Sequence, residues 1–348
     1  MPETALDERR REVLRTLIQL HVETGEPVGS ESLSRTLNRA LSPATLRNIM
    51  ADLEAMGYLD HPHTSAGRVP TDEGYRVYVD SLMERFSLSP REAAAIASAL
   101  AGRDATAAQV MERASHVLSR LSRHVGFVLA PDIARVSFRH IDLVPLSAPR
   151  VLVVMVSAGG IVTHKVIEVE EQLGPEELQA CANYLNNHFS GMSLESIRSR
   201  LIELMREEKA LYDSLLKRVV ALGELAFAPS PAEASIYLDG TSNILSHGEF
   251  EDLERMRALF QTFEEKGRLV RILNACIAGD GIRVLIGHEN PDPDLRDLSF
   301  VAARYRVEGD SEWGLGVLGS TRMEYAHVVT LVDHVARALS ETLQGLRT

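Results

Sequence analysis

The chain's 348 residues, 45% hydrophobic and 25% charged, suit two or three separately cored globular domains and exclude a disordered polymer. The charged start, "MPETALDERRREV", is no signal peptide, and the longest apolar run, "VLVVMVSAGGIV" from Val151, is too short to span a bilayer. The balance of 37 Lys+Arg against 49 Asp+Glu, a net charge of −12, runs against nucleic-acid binding unless a basic field is gathered locally. Cys181 and Cys276 lie far apart with no C-x-x-C, so neither a disulfide framework nor a zinc finger is expected, and a reducing cytoplasm is.

The first predicted element is a helix in "LDERRREVLRTLIQLHVETGEPVGS". Val13, Leu14, Leu17, Ile18 and His21 share one face, and Gly25 with Pro27 ends it. A shorter helix begins after Ser30 and buries Leu33 and Leu37. The third, "SPATLRNIMADLEAMG", has Ser42 as N-cap, Pro43 at the first helical position and Gly57 as its stop. Its buried stripe is read as Leu46, Ile49, Met50, Leu53 and Met56, which turns Ala44, Arg47, Asn48 and Ala51 outward. Small residues let such a face approach a surface closely, while Arg suits guanine O6/N7 and Asn suits adenine N6/N7 in a major groove. Between Glu31 and Asp52 there is no acid, and Arg35, Arg39 and Arg47 leave a local charge of +3. Such a face could equally be a solvated helix surface.

The segment after the third helix favours DNA. "YLD" and "RVP" can pair as a two-stranded ribbon whose tip is the loop His61 to Gly67, so three helices and a ribbon make a winged helix-turn-helix. Gly67 is expected to supply turn freedom, Thr64 and Ser65 to donate to phosphate, and Arg68 to reach a phosphate or the minor groove. As metal ligands His61 and His63 lack a third partner, and Ser65 lacks a nucleophile elbow, so neither a metal site nor catalysis is expected here.

A helix in "PTDEGYRVYVDSLM", with Tyr75, Tyr78, Val79 and Leu82 on one side, is read as the connector from head to body, and "SLSP" as a boundary. Helices in "REAAAIASAL" and "ATAAQVMERASHVLSRLSRHV" precede a strand, "GFVLA". Three strands at hairpin spacing come next, "RVSFRHIDLVPL", "RVLVVMVS" and "GIVTHKVIEVEE", then a helix in "PEELQACANYLNNHF" and one long helix from Leu194. That helix keeps heptad-like steps through Leu194, Ile197, Leu201, Leu204, Leu211, Leu215 and Leu222, interrupted by Glu208 and Arg218, a face that suits a core or a subunit interface. After "APSPAEA" come a strand, "SIYLDG", two helices, three strands and a terminal helix. The whole reads as an α+β domain interrupted by an insertion at roughly 131–230. "GHENPDPDLRD", with His288, Glu289, Asp292, Asp294 and Asp297, lacks the glycine and closing glutamate of a calcium loop and is read as a polar surface loop. "SAGGIV" is no nucleotide cradle. No catalytic constellation and no cofactor are expected.

"GEPVGSESLS", "LSPATLRNIMADLEAMGYLDHPHTSAGRVPTDEGYRVYVD" and "GLGVLGSTRMEY" closely resemble the HrcA family of bacterial heat-inducible transcription repressors, over essentially the whole chain. Ser320 departs from the family, which often has Pro there, and bears only on a local turn. The resemblance implies an α+β multidomain fold: a winged helix-turn-helix over 1–88, a GAF-like domain over 89–130 and 231–348, and an inserted dimerisation domain over 131–230. It implies a homodimer on double-stranded DNA with an inverted repeat, since two-fold protein symmetry mirrors a palindromic operator. Base readout is assigned to Arg47 and Asn48 with Ser42 and Thr45 at the helix start, and backbone contact to Thr64, Ser65 and Arg68. The resemblance further implies repression of chaperone operons and dependence on the GroE chaperonin, which heat diverts to unfolded proteins. A metabolite-sensing GAF-type regulator with the same head is the alternative.

Overall fold

A computed structural model describes residues 6–62, 67–84, 86–102, 105–130, 137–158, 162–169, 173–206, 214–227, 236–247, 253–277, 281–308 and 311–345. The head opens with α1 (Glu8–Thr24), α2 (Ser30–Thr36) and α3 (Pro43–Ala55), the first and third started by a side-chain cap. The Asp7 carboxylate accepts from the Arg10 N–H, and the Ser42 hydroxyl accepts from the Thr45 N–H at 3.1 Å. Gly25 stops α1 with φ 74°, a left-handed cap whose N–H donates to His21 O. Val13, Leu14, Leu17, Ile18, Leu33, Leu46 and Leu53 close the head's core. Met56, expected in the buried stripe of α3, is instead 38% exposed, because the helix has already ended at Ala55 and Met56 is its cap.

A ribbon, β1 (Leu59–Asp60) and β2 (Val69–Pro70), pairs antiparallel as expected. Arg68 also bridges to Val28, with Val28 N–H to Arg68 O at 2.8 Å and the reciprocal bond at 3.0 Å, so the segment after α1 lies along the ribbon. Gly67 has a different reason from the turn freedom expected of it. A Cβ there would stand 2.3 Å from the Val28 carbonyl, so close passage of two backbones requires glycine. The connector begins as α4 (Asp72–Val77) and continues as a π-helical turn over Tyr78–Leu82, which buries Tyr75, Tyr78 and Leu82.

The body begins with α5 (Pro90–Leu100), α6 (Ala107–Ser122) and β3 (Val125–Leu129). Then come β4 (Phe138–Pro145), β5 (Arg150–Ser157), β6 (Val162–Glu168), α7 (Pro175–Phe189), α8 (Leu194–Arg206) and α9 (Ser214–Phe227). The chain returns with β7 (Ile236–Asp239), α10 (Leu253–Glu264), α11 (Lys266–Cys276), β8 (Arg283–Ile286), β9 (Leu298–Glu308), β10 (Ser311–Ser320) and α12 (Tyr325–Gly345). Two sheets result, both antiparallel: a five-stranded one in the order β7-β3-β10-β9-β8 and a three-stranded one in the order β4-β5-β6.

The larger sheet is buried on both faces. Val301, Ala303, Tyr305, Leu315 and Val317 join α6 and α12, whereas Phe127, Leu129, Phe300 and Leu318 join α10 and α11. The smaller sheet has its own core, drawn entirely from Phe138 to Phe227. The single long helix expected from Leu194 is two helices among the described residues. Leu201 of α8 packs against Gly223 of α9, where an added Cβ would lie 2.7 Å from Leu201 Cδ1, so the two helices lie against each other. The leucine steps suggest one rod because each half keeps the same periodicity. The fold is thus α+β throughout, with the winged head at its N-terminal end.

Candidate nucleic-acid interface

The interface is built on α3. Its inner face, Leu46, Ile49, Met50 and Leu53, is fixed by the core, and this leaves Ala44, Arg47, Asn48 and Ala51 exposed on the other side. Arg47 and Asn48 have no ion pair or side-chain hydrogen bond among the described residues, so their donors face solvent. Ser42 and Thr45 sit at the helix start, and their hydroxyl oxygens lie 2.9 Å apart. Arg35, in the last turn of α2, and Arg39, on the turn that follows it, are exposed nearby. That turn is tight: Asn38 and Arg39 take φ 49° and 57°, held by the Arg39 N–H on Ser34 O at 2.7 Å and the Ser34 hydroxyl on Leu41 O at 2.9 Å.

The two acids of α3 itself are engaged by cations. Asp52 receives the Arg10 guanidinium at 2.6 Å, a bond that raises Arg10 above the usual guanidinium range. Glu54 receives Arg68 through Nε at 2.8 Å and a second guanidinium nitrogen at 2.7 Å. The α3 face therefore offers two unengaged side chains, suited to guanine and to adenine, with the carboxylates of α3 compensated.

The structure brings Ser42, Thr45, Arg47 and Asn48 together on one helix. Thr64 and Ser65 lie outside the described residues, as does His63. Arg68 stands apart from the expectation of a free phosphate contact: its side chain is only 20% exposed and its guanidinium is held by Glu54. Sequence reasoning missed Glu54 and Arg10. No local signal marks either, since Glu54 lies 14 residues before Arg68 and Arg10 lies 42 before Asp52.

Among the described residues of the body, no cluster of reactive groups competes with this face. Among the described residues no group of three or more His, Cys, Asp or Glu could hold a metal ion. Burial pushes the Cys276 thiol up to about 11 and raises Cys181, so neither is a nucleophile at neutral pH. The acids of "GHENPDPDLRD" serve the fold: Asp292 and Asp294 clamp Arg268, while the buried Asn290 amide donates to the carbonyls of Gly287, Leu295 and Leu298. Among the described residues, no helix is long and apolar enough to cross a membrane.

Two family models match the chain. "Winged helix-turn-helix transcription repressor, HrcA DNA-binding" covers residues 5–81, and "HrcA protein C terminal domain" covers residues 108–329. Among curated relatives, the heat-inducible transcription repressor HrcA of Geobacter sulfurreducens is 43% identical over 98% of this chain and 99% of its own. Its counterpart in Syntrophobacter fumaroxidans is 37% identical over 97% and 98%. A crystal structure of a hypothetical protein shares the fold, with a TM-score of 0.67 at 23% identity over 98% of this chain and all of that one.

Proposed function

The chain belongs to the HrcA family of heat-inducible transcription repressors, a family of DNA-binding regulators and not of enzymes, and we propose that it represses chaperone operons as a homodimer on an inverted repeat. The observation that carries this reading is the outward face of α3, where Arg47 and Asn48 stand unengaged between Ala44 and Ala51. In this reading Arg47 and Asn48 meet base edges in the major groove, and Ser42 and Thr45 anchor the helix start near a phosphate. Thr64 and Ser65 at the wing tip hold the neighbouring backbone. Arg68 acts one step back, positioning the wing through Glu54.

The dimer is assigned to the unit 131–230, inserted in a GAF-like body of 89–130 and 231–348, with the head as 1–88. One face of its sheet supports this: Val144, Val162 and Val166 are 43%, 61% and 51% exposed beside half-buried Leu152 and Val156. The GroE chaperonin as modulator, withdrawn by heat, rests on family resemblance, and action on DNA in the cytoplasm accords with the cysteine usage. A metabolite-sensing body gains no support, since the sheet face toward α10 and α11 is filled by Phe127, Phe300, Leu259, Phe263 and Leu269.

Selection of bound duplexes from random DNA, with and without GroE chaperonin, tests the proposal. Enrichment of an inverted repeat, stronger with chaperonin, is the expected result. Failure to enrich any sequence in either condition would overturn it.

A further inference from the structure

Two motifs of the body, "GHE" at Gly287–Glu289 and "STRMEY" at Ser320–Tyr325, are not used by the DNA interface, yet both touch the head. The Arg76 guanidinium of α4 donates to both oxygens of Glu289, by Nε at 2.7 Å and by a second, shorter bond, and to Val284 O at 2.7 Å. Four residues earlier, the Asp72 carboxylate accepts from the His288 N–H at 3.0 Å and lies 2.7 Å from His288 Nδ1. Gly287 makes room for this: its φ is 51°, and a Cβ would fall 2.0 Å from Asp72 Oδ2. The Tyr75 ring lies 5.7 Å from that of Tyr325, whose hydroxyl donates to Thr321 O at 2.7 Å. From the other side Arg322 donates to Val22 O in the last turn of α1 and covers Gly25.

The covalent link alone cannot aim the head. From Met83 to Ser89 the described residues form no helix or strand. Orientation must then come from side-chain contacts, and here the apolar residues of head and body merge into one cluster running from Val13 to Leu343. Ion pairs near the surface add little to stability by themselves. Bidentate pairs do, however, fix direction, because their geometry is planar and specific. We propose that Gly287–Glu289 and Ser320–Tyr325 form a socket for α4 that sets the angle of the winged head on the body, making Arg76, Asp72 and Glu289 positioning residues for the spacing of operator half-sites. The consequence is geometric. Each added base pair moves a half-site by about 3.4 Å along the DNA and rotates it by about a tenth of a turn, so a fixed head accepts few spacings and a loose one accepts many.

The inference rests on the dimeric reading above, and its test separates the two. Full-length Arg76→Gln and Glu289→Gln would be compared with the unmodified chain on a single half-site and on inverted repeats whose spacer is stepped one base pair at a time. The expected result is half-site affinity within about twofold of the unmodified chain, with off-optimum spacers gaining about fivefold relative to the optimum. A spacing profile identical to the unmodified chain's in both variants overturns the socket. Amide exchange across Tyr75–Leu82, measured without DNA, is the second readout. Exchange faster by about tenfold in both variants supports the socket, and unchanged exchange overturns it. Should the unmodified chain prefer no paired site, the dimeric-operator reading fails by itself and the exchange result still decides the socket.

Discussion

Arg47 and Asn48 occupy adjacent positions on a helix whose inner face is saturated by the core, and neither side chain has a polar partner among the described residues. Truncating either therefore removes no polar contact in the protein, and on the proposed reading it removes only contacts to DNA. Arg47→Ala is expected to cost about 1–3 kcal/mol on the selected site and to relax preference at one base pair, with little loss on random DNA. Its melting temperature should match the parent's. Equal losses on selected and random duplexes in a binding titration would show that Arg47 meets phosphate instead. These two positions are legible in the sequence because Ser42, Pro43 and Gly57 phase the helix locally. Gly67 and Arg68 are only half legible. Their place in the wing is local, but the Val28 backbone that excludes a side chain at Gly67 and the Glu54 carboxylate that holds Arg68 come from segments distant in sequence. A guanidinium serves a phosphate or a carboxylate equally well, so residue type cannot choose between them.

The wing shows how one element is set by another. Arg68 joins β2's edge to Val28 through the backbone and to α3 through Glu54, so it ties the ribbon to α3. Glu54→Gln discriminates between two roles for Arg68. If Arg68 positions the wing, releasing it loosens the ribbon, and DNA affinity should fall by about threefold to tenfold for all sequences. The salt dependence would keep its slope, because no phosphate contact is lost. Arg68→Gln should do the same, and the double variant should be no worse than either alone. A rise in affinity for Glu54→Gln would instead mean that freed Arg68 binds phosphate. The elements that periodicity misjudges have a common cause. Tyr75, Tyr78, Val79 and Leu82 fit an α-helix and a π-turn alike, and the leucines from Leu194 fit one helix or a folded pair. Only the packing of Leu201 on Gly223 distinguishes the pair from the rod.

A chain of net charge −12 that binds DNA needs its acids far from the duplex or compensated near it. On α3 itself they are compensated, Asp52 by Arg10 and Glu54 by Arg68. The remainder lie mostly on other elements, and beyond about 10 Å at moderate salt their field on the duplex is screened. Dimerisation through the inserted unit suits the same constraint, because it would join two copies away from α3. In the three-stranded sheet Val144, Leu152 and Val166 lie in register across the strands, as do His140, Val156 and Val162, so the exposed valines form rows on one face rather than isolated spots. Val166→Lys places a charge on that face, on the edge strand β6, while leaving Ile167, on the opposite face, in its core. On the proposed reading, sedimentation should then report a monomer for the variant and a dimer for the parent. The variant should bind a single half-site as the parent does and lose the gain from pairing half-sites, about a hundredfold or more for a second site held at millimolar effective concentration. A Val166→Lys protein that remains dimeric and keeps that gain would move the dimer contact off this sheet.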